Sequence, residues 1–170
     1  NWKELKRTDI LIHLAAVGGY SRFSTFKKCY NFNVLKSKKL VENSVSNGCN
    51  KLLIISSKKE KKIKNLEINK NQIKNYEKKP DYIYALTKAI FSKFCFDFSK
   101  KNDVKIRIVR LYHVYGRNEK KFRLWPALIK AAKNNKDFRM TSGNQKTDFN
   151  YIDDVIDGLI NAIDLKKKKK

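Results

Sequence analysis

A chain of 170 residues that is 41% hydrophobic is long enough for one domain with a real core, and its apolar residues fall into periodic runs that exclude a disordered chain. With only Gly 6 and Pro 2 it is no low-complexity linker either. The formal charge of +24 taken alone suggests a polyanion such as nucleic acid or an acidic membrane surface, but the lysines scatter over segments that read as solvated helix faces, and no nucleic-acid motif accompanies them.

Residues 9–16 form an apolar run broken by one His and closed by Gly18-Gly19, which predicts a strand buried on both faces. Helical spacing follows over 26–47 through Phe32, Leu35, Leu40 and Val41, with Asn47-Gly48 as the stop. Leu52 to Ile55 give a second buried strand. Residues 58–79, with nine lysines and four asparagines, predict a solvated loop. Ile90, Phe91, Phe94 and Phe98 mark a helix over 82–99, and 104–112 alternate into a third strand. A helix over 124–134, a short strand near 138–140 and a helix over 153–164 complete the chain; the lysines 166–170 are a charged tail. Strands alternating with helices predict an α/β fold built on a parallel sheet.

Cys29, Cys49 and Cys95 are far apart and lack metal-ligand spacing, so they read as small buried hydrophobes, no metal site is expected, and a reducing cytoplasm is the natural compartment. No apolar run reaches the length of a membrane span, and the N-terminus lacks a signal-peptide pattern.

Tyr84 and Lys88 lie four apart on the helix predicted over 82–99, so both project from one face. A free tyrosine, with a pKa of about 10, is a poor base at neutral pH; a nearby ammonium stabilises the phenolate and makes proton exchange with a hydroxyl practical. An interfacial helix aromatic is the plainer reading of Tyr84 by itself. Ser57 closes the second strand at its carboxyl end, where open α/β sheets place ligands; a strand-ending serine with a local backbone bond is the alternative. His13 reads as a satisfied strand-end histidine, and Arg123 as an anion contact or a solvated helix-start arginine.

Five strings, DILIHLAA (9–16), IISS (54–57), YALTK (84–88), RLYHVYG (110–116) and DFNYIDDV (148–155), fall in an order and spacing that resemble the extended short-chain dehydrogenase/reductase family, the NAD-dependent nucleotide-sugar epimerases and dehydratases. The resemblance implies a partial doubly wound, Rossmann-like parallel sheet over residues 1–118, with the start of a substrate-binding region and a returning helix over 119–165. It implies NAD or NADP as cofactor, a nucleotide-sugar substrate, a possible homodimer, and surface polysaccharide precursors as products. Tyr84 becomes the acid/base, Lys88 the partner that lowers its pKa and holds the nicotinamide ribose, and Ser57 the contact to the sugar oxygen. Ala15 and Ala16 let the dinucleotide approach, Asn33 shapes the neighbouring helix, and Leu111 lies on the strand that meets the nicotinamide end. His113, Arg123 and Lys146 are the substrate-binding candidates.

Departures from the family pattern are equally specific. Lys58-Lys59-Glu60-Lys61 follows Ser57 where members continue into Val-Tyr-Gly, and no Asp-Glu pair stands there, which disfavours the dehydratase branch. Lys36-Ser37 replaces Gly-Thr, His113 replaces Asn, and Thr147 with Lys146 beside it replaces the Arg before Asp-Phe. The glycine-rich turn that anchors the pyrophosphate is not found, so the resemblance covers a family member truncated at its N-terminus and at its C-terminus, lacking the first β-α-β unit. Weak or no NAD(P) binding is expected of this chain alone, and an inactive family member and a basic nucleic-acid-binding module are the competing readings.

Overall fold

The computed structural model describes residues 8–19, 25–63, 66 and 79–163. Two compact units emerge, one formed mainly by residues up to Leu111 and the other by Tyr112–Asn161.

In the first unit β1 (Ile10–His13), β2 (Lys51–Ser57) and β3 (Lys105–Leu111) form a parallel sheet in that order, with Leu11 opposite Leu52 and Ile54 opposite Ile108. The fold is α/β, as the strand and helix alternation predicts. β2 is central and buries Leu52 through Ser56 without a break, the pattern of a strand covered on both faces. β1 is different. It is four residues long, pairs among the described residues only with β2, and leaves Ile12 45% exposed. The two-face burial expected over 9–16 does not hold at this end of the described sheet, where Ile12 and residues 14–16 stay exposed.

Parallel strands need crossovers, and two helical stretches supply them. Thr25 opens the first, its side chain accepting from the Lys28 N–H at 3.2 Å. The stretch is a helix in three parts: α1 (Phe26–Tyr30), a π-helical segment (Asn31–Lys36) and α2 (Ser37–Ser46). Gly48, at φ +89°, turns the chain back, and the Cys49 N–H donates to the Ser44 carbonyl at 3.0 Å. The second is α3 (Pro80–Asn102), with proline in its first turn and Asp103 in the left-handed conformation at its end. Val41, Cys49, Leu52, Ile54, Phe91, Cys95 and Val104 pack as one core; Phe26, Cys29, Ile83 and Leu86 form a second. The largest side chain of the first core, Phe91, is worth about 2–3 kcal/mol in burial alone.

The stretch 58–79, expected as a loop, begins with a 3-10 helix (Lys58–Lys62) that buries Glu60. Residues 64, 65 and 67–78 of that loop, and the tail over 166–170, lie outside the described residues.

The second unit holds β4 (His113–Tyr115) and β5 (Phe149–Tyr151), a parallel pair, with α4 (Leu124–Lys133) and all but the last two residues of α5 (Ile152–Ile163). RLYHVYG therefore serves two sheets, β3 ending at Leu111 and β4 starting at His113. The strand expected near 138–140 does not form. Residues 136–148 carry neither helix nor strand and are mostly exposed, and among the described residues no strand pairs with 138–140. Phe149–Tyr151 pairs with β4 instead. Tyr115, Trp125, Phe149 and Tyr151 cluster, with ring centroids 5.3 Å apart for Tyr115 and Trp125 and 5.6 Å for Trp125 and Phe149. Gly116, at φ +149°, has no room for a side chain, since a Cβ would be driven into Ile152. Arg117 Nη2 donates to both oxygens of Asp153, at 3.1 and 3.0 Å, in the first turn of α5.

Candidate active site

One face of α3 presents Tyr84, Lys88 and Ser92, four residues apart in turn. Lys88 is 3% exposed and its Nζ donates to the Ile55 carbonyl at 2.6 Å, on β2 two residues before Ser57. Burial pulls the Lys88 pKa below the ordinary lysine value, and the charge of Glu60 opposes that pull. Tyr84 is half-buried, with a Cβ built on Gly19 falling 3.7 Å from its ring. Its backbone carbonyl accepts from Thr87 Oγ1 at 3.0 Å.

Ser57 ends β2 opposite Leu111. Its Oγ accepts from the Lys59 N–H at 3.3 Å and so caps the 3-10 helix, which is the local backbone bond of the plainer reading. A hydroxyl capped in this way still has its proton to donate. Lys59 carries the turn on toward Tyr84: its Nζ lies 5.9 Å from the centre of the Tyr84 ring and pairs with Asp81 at 2.7 Å. Ser57, Lys59 and Tyr84 are thus linked through one short turn.

Asn33 joins the segment after β1 to the turn of α3 that bears Tyr84. Its Oδ1 accepts from the Val17 N–H at 2.9 Å, and its Nδ2 donates to the Val17 carbonyl at 2.9 Å and to Thr87 Oγ1 at 3.0 Å. With Val17 held on both sides, Ala15 and Ala16 are exposed beyond the end of β1. His13 is buried against Phe91, with Nε2 2.9 Å from Ser37 Oγ. Ser37 donates its only proton to the Phe32 carbonyl at 3.0 Å, so His13 Nε2 is the donor in the pair. Burial, followed by the Lys88 charge, lowers the His13 pKa to about 4 and keeps the ring neutral.

Sequence reasoning missed the group that lies behind this face. Glu60 is 7% exposed; its Oε1 accepts from Ser92 Oγ at 2.7 Å and from Ser56 Oγ, and its Oε2 accepts from Arg110 Nε at 2.7 Å. No local signal pointed to it: an acid inside KKEKK reads as solvated, and its serine partner on α3 lies 32 residues away.

The remaining candidates belong to the second unit. A cleft of about 520 Å³ there is lined by His113, Arg123, Trp125, Thr147 and Phe149, among others. The His113 ring lies 5.5 Å from Phe149. Arg123, at the start of α4, donates from Nε to Glu119 Oε1 at 2.7 Å, which takes up part of its charge. Trp125 Nε1 and Glu119 Oε2 are buried with no hydrogen-bond partner among the described residues. Lys146 is exposed, while Gln145 and Thr147 on either side of it line the cleft.

Cys29, Cys49 and Cys95 are buried thiols, and burial pushes the Cys95 pKa up to about 12. Among the described residues no three His, Cys, Asp or Glu side chains gather as metal ligands, and no helix is long and apolar enough to cross a membrane.

Residues 2–170 match the model of the NAD dependent epimerase/dehydratase family. CDP-abequose synthase of Salmonella muenchen is 36% identical over 91 residues, 52% of this chain and 31% of that protein. UDP-glucuronic acid 4-epimerase from Bacillus cereus, solved with UDP-glucuronic acid and NAD, superimposes with a TM-score of 0.74 at 25% identity, over 98% of this chain and 52% of that one. UDP-N-acetylglucosamine 4-epimerase from Methanobrevibacter ruminantium M1 gives 0.76 at 21% identity, over 98% and 55%, a likeness of fold. The chain spans about half the length of these two structures and about a third of the CDP-abequose synthase.

Proposed function

The chain belongs to the NAD-dependent epimerase/dehydratase family, and from that membership we propose that it carries the catalytic residues of an NAD(P)-linked enzyme acting on a nucleotide sugar. Epimerisation, dehydration and simple reduction draw on the same groups. The products we assign are precursors of surface polysaccharide, made in the cytoplasm. The relatives support a nucleotide-sugar substrate: one is a CDP-abequose synthase, and one epimerase was solved with a UDP-sugar and NAD.

Tyr84 exchanges a proton with the reacting sugar hydroxyl. Lys88, on the same face of α3, supplies the positive charge that stabilises the phenolate. Ser57, whose Oγ has a proton left to give, donates to the sugar oxygen. These residues fit the nicotinamide-ribose half of the cofactor: exposed Ala15 and Ala16 leave the end of β1 open, Asn33 fixes the backbone behind them, and Lys88 and Leu111 flank the strand ends. When bound, the nicotinamide accepts and returns a hydride; the protein supplies geometry and proton transfer. In the second unit, His113 and Arg123, which line the aromatic cleft, and the exposed Lys146 beside it are assigned to the nucleotide sugar.

The observation that carries this reading is the Lys88 ammonium, buried on the Tyr84 face of α3 and anchored to the strand that ends in Ser57. One observation favours an inactive family member instead, since that same ammonium is committed to the Ile55 carbonyl. Incubation with a panel of CDP-, UDP- and dTDP-hexoses, with NAD(P) or NAD(P)H in large enough excess to offset the weak cofactor binding expected of this chain alone, separates the two. The expected result is one converted sugar, seen by mass spectrometry and NMR of the product; no conversion of any sugar contradicts the enzymatic reading.

A further inference from the structure

We propose that Glu60 is a positioning residue for this site: its buried carboxylate ties the turn after Ser57 to β2, α3 and β3, and so fixes the strand end that carries both Ser57 and the Ile55 carbonyl on which Lys88 is anchored. The inference rests on the reading of Tyr84, Lys88 and Ser57 given above.

A carboxylate in the core is costly unless its lone pairs are used. Here each partner comes from a different element. Ser56 belongs to β2, Ser92 to α3 and Arg110 to β3, and Ser56 and Arg110 stand opposite one another in the sheet. The carboxylate is therefore a three-way tie at the carboxyl end of the sheet. Glu60 itself lies three residues after Ser57, on the 3-10 turn that Ser57 caps. Four lysines surround it in that turn, and only the acid is turned inward. A solvated lysine-rich loop would leave Ser57 at the start of a loose segment; a turn pinned by Glu60 gives it a fixed place.

The second consequence is electrostatic. Lys88, one helical turn before Ser92, is buried at 3% exposure, and isolated ammonium groups in such surroundings lose their proton. Glu60 is the charge that counters this desolvation. Arg110, with its side chain 45% exposed, keeps contact with water and needs the carboxylate less than Lys88 does. The tie and the counter-charge are one group with two effects on the same site.

The test reads Lys88 and the turn directly in the 170-residue chain, with no substrate or cofactor, so its failure is distinct from a failure of the enzymatic reading. In a ¹⁵N spectrum of the lysine side chains, an ammonium held on a carbonyl away from water gives a slowly exchanging signal, and its loss in Lys88→Met assigns it. In Glu60→Gln that signal is expected to vanish or to be lost at lower pH, and the amides of residues 57–62 are expected to exchange at least about tenfold faster, the scale of losing one hydrogen bond to a charged group. An unchanged Lys88 signal together with unchanged exchange overturns the proposal. Should Glu60→Gln not fold, Ser92→Ala removes one arm of the tie and no charge. Faster exchange over 57–62 with the Lys88 signal kept then supports the proposal, and unchanged exchange overturns it.

Discussion

His13 shows how one residue can be readable in type and unreadable in consequence. Its place at the end of an apolar strand marked it as a satisfied core or strand-end histidine; it is buried, but only Nε2 is satisfied, by Ser37 24 residues away, while Nδ1 has no hydrogen-bond partner among the described residues. The folded protein holds the ring neutral down to about pH 4, whereas an unfolded chain binds a proton near the ordinary value of 6.5. As pH falls through that window the unfolded chain takes up the proton first, so stability drops with falling pH and levels off below about 4. The loss is on the order of 3 kcal/mol. Urea unfolding at several pH values is expected to show this fall in the parent chain and to lack most of it in His13→Gln; equal pH dependence in both would place the titration elsewhere. Glu60 is the opposite case. A glutamate flanked by lysines reads as solvated, and only the serines of two other elements make its burial affordable.

At the level of elements, β2 and α3 were legible because each carries the apolar pattern that its burial demands, whereas β1 and β3 were placed by their patterns but are less buried than those patterns imply. The π-helical segment was not. Phe32, Leu35, Leu40 and Val41 are consistent with one regular helix, and nothing in the spacing announces the extra residue in the turn. The irregularity coincides with Asn33 facing inward, where both its amide atoms meet the Val17 backbone. Asn33→Ala would leave the Val17 N–H and carbonyl without partners in a half-buried setting. We expect a cost of about 2–4 kcal/mol in denaturant unfolding, and a still poorer fold for Asn33→Asp, whose second oxygen would face the Val17 carbonyl. A change below about 0.5 kcal/mol in Asn33→Ala would show that this link does not hold the segment. The misplaced strand near 138–140 teaches the same lesson from the other side. So short a stretch needs a partner to be a strand, and β5 exists because β4 offers it one.

For the molecule as a whole, the order of the motifs was more informative than any one of them. A Tyr-x-x-x-Lys pair in so lysine-rich a chain says little by itself, but it follows the strand ending in Ser57 and precedes the strand of Leu111, and the fold sets those two strand ends side by side. The charge of +24, the loudest number in the composition, told least about the fold. What the sequence could not supply was the polar interior, Asn33 with Thr87 and Glu60 with Ser92, because each bond spans more than 30 residues and leaves no local pattern. The central claim is that Tyr84 moves the proton. The measurement that tests it most directly is the turnover of Tyr84→Phe on whichever nucleotide sugar the protein converts, with substrate binding followed in parallel. Loss of an acid/base group should lower kcat by about 10²–10⁴ and leave binding within a few-fold of the parent. A Tyr84→Phe protein that turns over at the parent rate would contradict the account.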